Sequence, residues 1–178
     1  MKKLLIVFSL MAASIVAHGA TVSWSVYPVY DMGATTENTG YLVYFFDNAA
    51  YSSSQAATAL ASGDTSFVSN GWAADALSDG GFTSGEATGT WANGSTVTGY
   101  LVIFDAGTVD GAANAYISST ASGNIGAQGQ AAGIDFGDTQ LAAMQNASNW
   151  TSTAVPEPTS GLLMLLGMAG LALRRRLA

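Results

Sequence analysis

No lysine, arginine or cysteine occurs between Lys3 and Arg174, and the only histidine, His18, lies near the start. A chain of this kind cannot use disulfides to hold a fold together, and its interior stretch has no cations to pair with its acids. The five cations are Lys2, Lys3, Arg174, Arg175 and Arg176, all terminal. Between them lie Asp31, Glu37, Asp47, Asp64, Asp75, Asp79, Glu86, Asp105, Asp110, Asp135 and Asp138, with Glu157 as the twelfth acid. The net charge of −7 is 5 minus 12. Stability must therefore come from burying apolar surface. A length of 178 residues suffices for one domain with a core and is short for two. A body bearing only carboxylates repels nucleic acid, because phosphate contacts need Lys or Arg. No nucleic-acid partner is expected.

The start of the chain reads as a secretory signal. Met1-Lys2-Lys3 is a positive n-region and residues 4–16 form an apolar run of secretory length. Ala17-His18-Gly19 supplies the small residues that precede cleavage, so the cut is expected after Gly19 or after Ala20. The alternative, an N-terminal membrane anchor, is disfavoured by the shortness of the run. Removing residues 1–19 removes His18 as well. The exported body then contains no His, Cys, Lys or Arg. Ser-His-Asp and Cys-His nucleophile systems are excluded. Lysine Schiff bases, His/Cys zinc sites and arginine anion clamps are excluded too.

The other end is Val155-Pro156-Glu157-Pro158-Thr159-Ser160, an apolar stretch over residues 161–173, and Arg174-Arg175-Arg176. The two prolines fix φ, donate no hydrogen bond and hold their preceding residues extended. Residues 154–159 thus read as a stiff polyproline-like strip that another protein could recognise. Thr159 or Ser160 can cap a following helix. Leu162, Leu163, Leu165, Leu166, Leu171 and Leu173 make that helix apolar all round, unlike a surface helix of a soluble domain. Thirteen residues span only about 20 Å, but flanking residues and arginine stems extend the reach towards the roughly 30 Å hydrocarbon core. The three arginines would stop the helix on the cytoplasmic side. A permanent tail anchor is the competing reading of these residues.

Pro-Glu-Pro, a short apolar helix and a terminal arginine cluster, in that order behind a signal peptide, resemble the PEP-CTERM sorting signal of Gram-negative bacteria. The resemblance covers the last seventh of the chain. It implies export, transient anchoring in the inner membrane, processing by the membrane protease exosortase near Pro156, Glu157 and Pro158, and association with exopolysaccharide or biofilm matrix. It transfers no biochemical activity to the body.

The organisation expected is a signal peptide over 1–19, an exported β-rich domain over 20–150, a linker over 151–160, and a transmembrane helix with its arginine-rich end over 161–178. Within the body, residues 21–30, 40–46, 96–105, 115–119 and 150–155 read as strands. Asn70-Gly71, Asp79-Gly80-Gly81, Asn93-Gly94 and Asp110-Gly111 mark turns. Helices are expected over 53–61, capped by Ser52 or Ser53, and over 138–147, opened by Asp138 or Thr139. The pattern suggests a mainly β fold, an antiparallel sandwich-like domain with one or two short helices. Thr39-Gly40-Tyr41-Leu42-Val43-Tyr44-Phe45 returns as Thr98-Gly99-Tyr100-Leu101-Val102-Ile103-Phe104, six of seven positions identical at an offset of 59. Both copies are apolar on both faces, as central strands covered on each side should be. A duplicated half-domain is one explanation.

Only carboxylates remain for acid–base chemistry. Asp105 with Asp110, and Asp135 with Asp138, are the pairs to weigh for glycan hydrolysis. Beside glycine-rich turns they read first as turn and cap residues. No D-x-[DN]-x-[DN]-G calcium loop is present. Trp24, Trp72, Trp91 and Trp150, with Tyr27, Tyr30 and Tyr51, could stack on sugars but read first as packing residues. Asn93, Asn146 and Asn149 head N-x-[ST] triplets. The expectation is a non-enzymatic surface or matrix protein without cofactor or metal. A carbohydrate-binding module, or less readily a two-carboxylate glycan hydrolase, is the alternative.

Overall fold

The computed structural model describes residues 19–78 and 80–153. The sorting motif, the membrane leucines, the terminal arginines and Ala17 lie outside the described residues, whereas Gly19 and Ala20 are within them. Among the described residues no helix is long and apolar enough to cross a membrane.

The elements run β1 (Ala20–Val26), β2 (Leu42–Asp47), α1 (Ser53–Ala61), a 3-10 turn (Ser66–Asn70), β3 (Trp72–Ala73), β4 (Thr83–Gly89) and β5 (Thr96–Phe104). They continue with β6 (Asn114–Ile117), β7 (Ala121–Asn124), β8 (Ala132–Phe136), α2 (Asp138–Leu141) and β9 (Trp150–Ser152). β4, β1 and β8 form a three-stranded sheet in that order. The larger sheet has the order β3-β2-β5-β6-β9, with β7 pairing with β5. The fold is mainly β, as the turn spacing implies, but it is not wholly antiparallel. β1 pairs in parallel with β8, from Val22 opposite Ala132 to Val26 opposite Phe136. Parallel neighbours cannot be joined by a tight hairpin, and here β2 to β7 intervene in the chain between them.

Alternation in β1 explains the core. Val22, Trp24 and Val26 face inward and are buried, while Ser23 and Ser25 face out. The indole of Trp24 stacks on Phe45 of the larger sheet, ring centres 5.7 Å apart at 19°. Phe136 meets the same Phe45 edge-on. One apolar cluster thus joins the two sheets through Trp24, Ile134 and Phe136 on one side and Val43, Phe45, Leu101 and Ile103 on the other. A second cluster lies on the opposite face of the larger sheet. There Phe46, Tyr100, Val102 and Phe104 pack against Ala56 and Leu60 of α1 and against Phe67. With a core on each face, residues 42–46 of β2 and 100–104 of β5 are apolar at every position.

The repeated heptapeptide supplies them, but not as equivalent halves. β2 and β5 are antiparallel neighbours with Val43 opposite Ile103 and Phe45 opposite Leu101. Phe45 belongs to the cluster between the sheets, and its counterpart Phe104 to the cluster beneath α1. Val43 and Val102 divide in the same way. A duplicated half-domain would keep such counterparts in matching surroundings. The echo here is one of strand composition.

Helix α1 has the boundaries its sequence implies. Ser52 caps it, accepting from the Gln55 N–H, while the Gln55 side chain accepts from the Ser52 N–H at 2.9 Å. The second helix is much shorter than 138–147 and is capped at Gly137, not Asp138 or Thr139. Beyond Leu141 the chain tightens into 3-10 turns over Ala142–Gln145 and Ala147–Asn149. Competing donors account for this. The Trp150 indole N–H takes the Met144 carbonyl at 2.7 Å, and the Asn149 side-chain amide takes that of Ala143 at 2.7 Å. A continuing α-helix would have needed both acceptors. β1 stops at Val26, short of residue 30, because Pro28 offers no N–H to a ladder.

Candidate functional site

Of the candidate carboxylates, Asp105, Asp135 and Asp138 accept hydrogen bonds from neighbouring groups. Asp105 accepts from the Ala113 N–H (2.8 Å), the Asn114 N–H (3.0 Å) and the Asn114 side-chain amide (2.8 Å), so it closes the loop between β5 and β6. Asp110 lies on that loop, beside Gly111. Asp138 accepts from the Tyr30 hydroxyl at 2.9 Å, and Asp135, on the outer face of β8, accepts from Ser25 at 2.6 Å. The bond to Asp138 raises the Tyr30 pKa, with a smaller push from burial. Asp47 accepts from the Ala49 N–H and from the Trp91 indole N–H, each bond just under 3 Å. Asp64 caps the following turn through Ser66, which holds its carboxyl below the usual range. Asp31 is bonded to the Asn38 side-chain amide. Among the described residues no group of three metal-ligating side chains comes together.

The aromatic residues divide between core and surface. Trp24 and Trp150 are buried. Trp72 and Trp91 are half-buried and lie against each other, ring centres 5.9 Å apart, with Trp72 also against Phe45. Tyr51 stacks on Phe67 at 5.6 Å and 7°. Tyr27, at 53% exposure, projects furthest into water. Trp24, Trp72, Trp91, Trp150 and Tyr51 each pack against another aromatic ring, whereas Tyr30 donates its hydroxyl to Asp138.

A polar trough lies elsewhere, on the outer face of the smaller sheet. Ser23 and Ser25 of β1, Ser84 and Glu86 of β4, and Asp135 of β8 line an open groove of about 660 Å³, closed at one side by Asp75. The strand registers bring them together: Ser23 stands opposite Glu86, and Ser25 opposite both Ser84 and Asp135. Asp75 is held at the β4 edge by its N–H to the Ser84 carbonyl (3.1 Å) and by the Thr83 hydroxyl to its own carbonyl (2.7 Å). Hydroxyls and carboxylates on this surface offer acceptors in excess and no cation. Such a surface can meet polyols or cations and repels anions. Of the trough only Asp135 drew notice in the sequence. The alternation Ser23-Trp24-Ser25-Val26 was the available signal for the outward serines.

The two ends of the body have distinct settings. Gly19 is exposed and Ala20 opens β1 opposite Gly89, with 3% of its surface exposed. At the far end Thr153 donates its N–H to the Ala113 carbonyl (2.9 Å) and its hydroxyl to that of Ala112 (2.5 Å). Pro156 follows three residues later, so at most about 10 Å of extended chain separates it from this clamp.

These features define a β-rich body, stabilised without cations, that ends immediately before a short proline-flanked apolar tail. A family model for the PEP-CTERM protein-sorting motif matches residues 154–176. The chain therefore carries a PEP-CTERM sorting signal, which marks an exosortase-targeted secreted protein. That signal implies export, transient anchoring in the membrane and processing there by exosortase before surface display. No curated protein and no solved structure matches the chain.

Proposed function

We propose that this chain is a non-enzymatic structural protein of the cell surface or exopolysaccharide matrix of a Gram-negative bacterium. Residues 161–173 hold it in the inner membrane, Arg174, Arg175 and Arg176 stay on the cytoplasmic side, and exosortase releases the body near Pro156, Glu157 and Pro158. The sorting motif at 154–176 is the observation that carries this reading. A body with no His, Cys, Lys or Arg after residue 19 and before residue 174 supports it, as do carboxylates engaged as loop and turn clamps. Fractionation of cells expressing the full chain tests it. The body is expected with surface material and polysaccharide; a chain confined to the cytoplasm would overturn the reading.

A second reading, glycan contact within the matrix, is favoured by the trough between β4 and β8. Its serines and carboxylates offer acceptors to sugar hydroxyls, and its lack of cations excludes phosphorylated or sulfated chains. Affinity electrophoresis in gels cast with the host exopolysaccharide tests this. The wild-type body is expected to be retarded and the Glu86→Gln, Asp135→Asn double variant less so. Equal mobility with and without polysaccharide would dismiss glycan contact.

A further inference from the structure

The outer face of the smaller sheet extends past the polar trough. Outward residues of a strand lie two apart, so Tyr27 follows Ser25 of β1 and Phe82 precedes Ser84 of β4. Val26 stands opposite Thr83 in the ladder, which makes Tyr27 and Phe82 the next pair along. They are the two most exposed large apolar side chains among the described residues, at 53% and 43%. Neither ring packs against another aromatic ring among the described residues, unlike the four tryptophans. Their backbones are fixed. Tyr27 donates its N–H to the Phe136 carbonyl at 3.0 Å, and the Phe82 carbonyl accepts from the Ser78 N–H at 2.8 Å and the Ser78 hydroxyl at 3.1 Å. The pair is thus presented to solvent without a backbone ordering cost on binding.

Carboxylates flank it. A Cβ at Gly80 would meet Tyr27 Cε2 at 3.5 Å and Glu37 Oε2 at 3.6 Å, so that acid lies just across a side-chain-free position from the ring. Asp135 stands in the next row, beside Ser25, and Glu86 one row further, beside Ser23. Successive rows are about 7 Å apart. Glu37 and Glu86 accept no hydrogen bond among the described residues, whereas Asp47, Asp64 and Asp105 are taken up by backbone donors.

Charge decides the occupant. No Lys or Arg occurs within residues 20–153 to neutralise these acids. A second copy of the body would bring only carboxylates to the contact and be repelled. A cationic partner is complementary, and an ammonium is also attracted to the face of an aromatic ring. The hydroxyls of Ser23, Ser25 and Ser84 between the acids suit a polyol better than the apolar stems of a lysine-rich peptide.

We propose that Tyr27, Phe82 and the adjoining trough bind an amino-sugar polymer with free amines. One sugar ring lies on the aromatic pair, the polymer runs past Ser25 and Ser23, and its ammonium groups face Glu37, Asp135 and Glu86. This rests on the glycan reading of the trough and names the class of glycan.

Calorimetric titration of protein recovered from the cell surface, at pH 5.5, tests it with three probes: a glucosamine hexamer with free amines, the same hexamer fully N-acetylated, and hexalysine. The free-amine sugar is expected to bind at least about tenfold more tightly than either of the others, and more weakly as salt is raised. Replacing both Tyr27 and Phe82 with serine should weaken it by about 5- to 30-fold. A variant with leucine at both positions keeps the apolar bulk without the ring faces and should be weakened as well. Equal affinity for the N-acetylated hexamer overturns the claim for amines and leaves glycan contact standing. Hexalysine binding as tightly as the free-amine sugar, or affinity indifferent to loss of both rings, overturns the aromatic sugar site and leaves charge alone. Silence with both sugars overturns the site outright, and retardation in the polysaccharide gel then decides glycan contact separately.

Discussion

Gly99 lies directly beneath the ring of Phe45: a Cβ at position 99 would fall within the envelope of Phe45 Cε2 and Cζ. The two residues sit on neighbouring strands, and Phe45 in turn stacks on Trp24 of the facing sheet. The glycine of the second heptapeptide thus allows the aromatic of the first to lie flat against its own sheet. Gly99→Ala forces that ring off its seat in a filled core. A loss of about 1–3 kcal/mol is expected, read as a lower urea midpoint with unchanged slope. Gly133→Ala, where a Cβ meets nothing within 4 Å, is the control and should shift stability by less than about 0.5 kcal/mol.

Trp24 and Trp150 are both buried, but they differ in one atom's surroundings. Trp24 Nε1 has no hydrogen-bond partner among the described residues, whereas Trp150 Nε1 donates to the Met144 carbonyl at 2.7 Å. Replacing Trp24 with Phe removes an unsatisfied donor. Replacing Trp150 with Phe removes the shorter of two bonds to the Met144 carbonyl, which keeps the Gly33 N–H at 3.3 Å, and releases the 3-10 turn before β9. Trp150→Phe should therefore cost about 0.5–1.5 kcal/mol more than its cavity term alone, and Trp24→Phe should be the milder change. Chemical denaturation of both variants decides it, and the reverse order would contradict the assigned bonding.

Alkaline pH should destabilise the body. Burial raises the pKa of Tyr100, Tyr116 and Tyr41 above the ordinary tyrosine value, with burial the leading cause in each. The neutral phenol is thus favoured in the folded state. Its contribution is fully present below the unfolded value of about 10 and is lost as pH rises above it. Denaturant midpoints at pH 8 and pH 11 should differ, the latter being lower. Absorbance at 295 nm should show these phenols ionising together with unfolding. An unchanged midpoint would contradict their burial.

Much of this architecture could be read from residue order, and the failures share a cause. β2, β5 and α1 declared themselves because β-branched and aromatic runs, or a Ser52–Gln55 capping box, have few alternatives. β4 (TSGEATG) and β7 (ASGN) are built largely from small residues, β8 (AGIDF) has only Ile134 and Phe136 as strand formers, and all three carry little strand signal. They are strands because their partners need them. Gly123, for instance, lets β7 approach the Gly133 carbonyl of β8. The helix over 138–147 failed for a related reason, since the Trp150 indole and the Asn149 amide claim its acceptors from outside the segment. The trough escaped notice because its serines and acids come from three strands far apart in sequence. The sorting motif over 154–176, by contrast, was legible, because its signal is local and covalently contiguous.

Replacing Arg174, Arg175 and Arg176 with serine removes all three C-terminal cations and so tests the proposed cytoplasmic stop. Each such charge contributes about 1 kcal/mol at an anionic leaflet. Membrane retention of the precursor should fall and secretion of unprocessed chain should rise, as followed by fractionation. Unaltered retention would remove the anchoring role from these residues.

The most direct measurement is the intact mass of the protein recovered from the cell surface. The mass of a chain beginning at Ala20, retaining Thr153 and lacking the tail from Leu162 to Ala178 is expected. A mass that includes Leu162 to Ala178 would contradict processing at the sorting signal, and with it the proposed route to the surface.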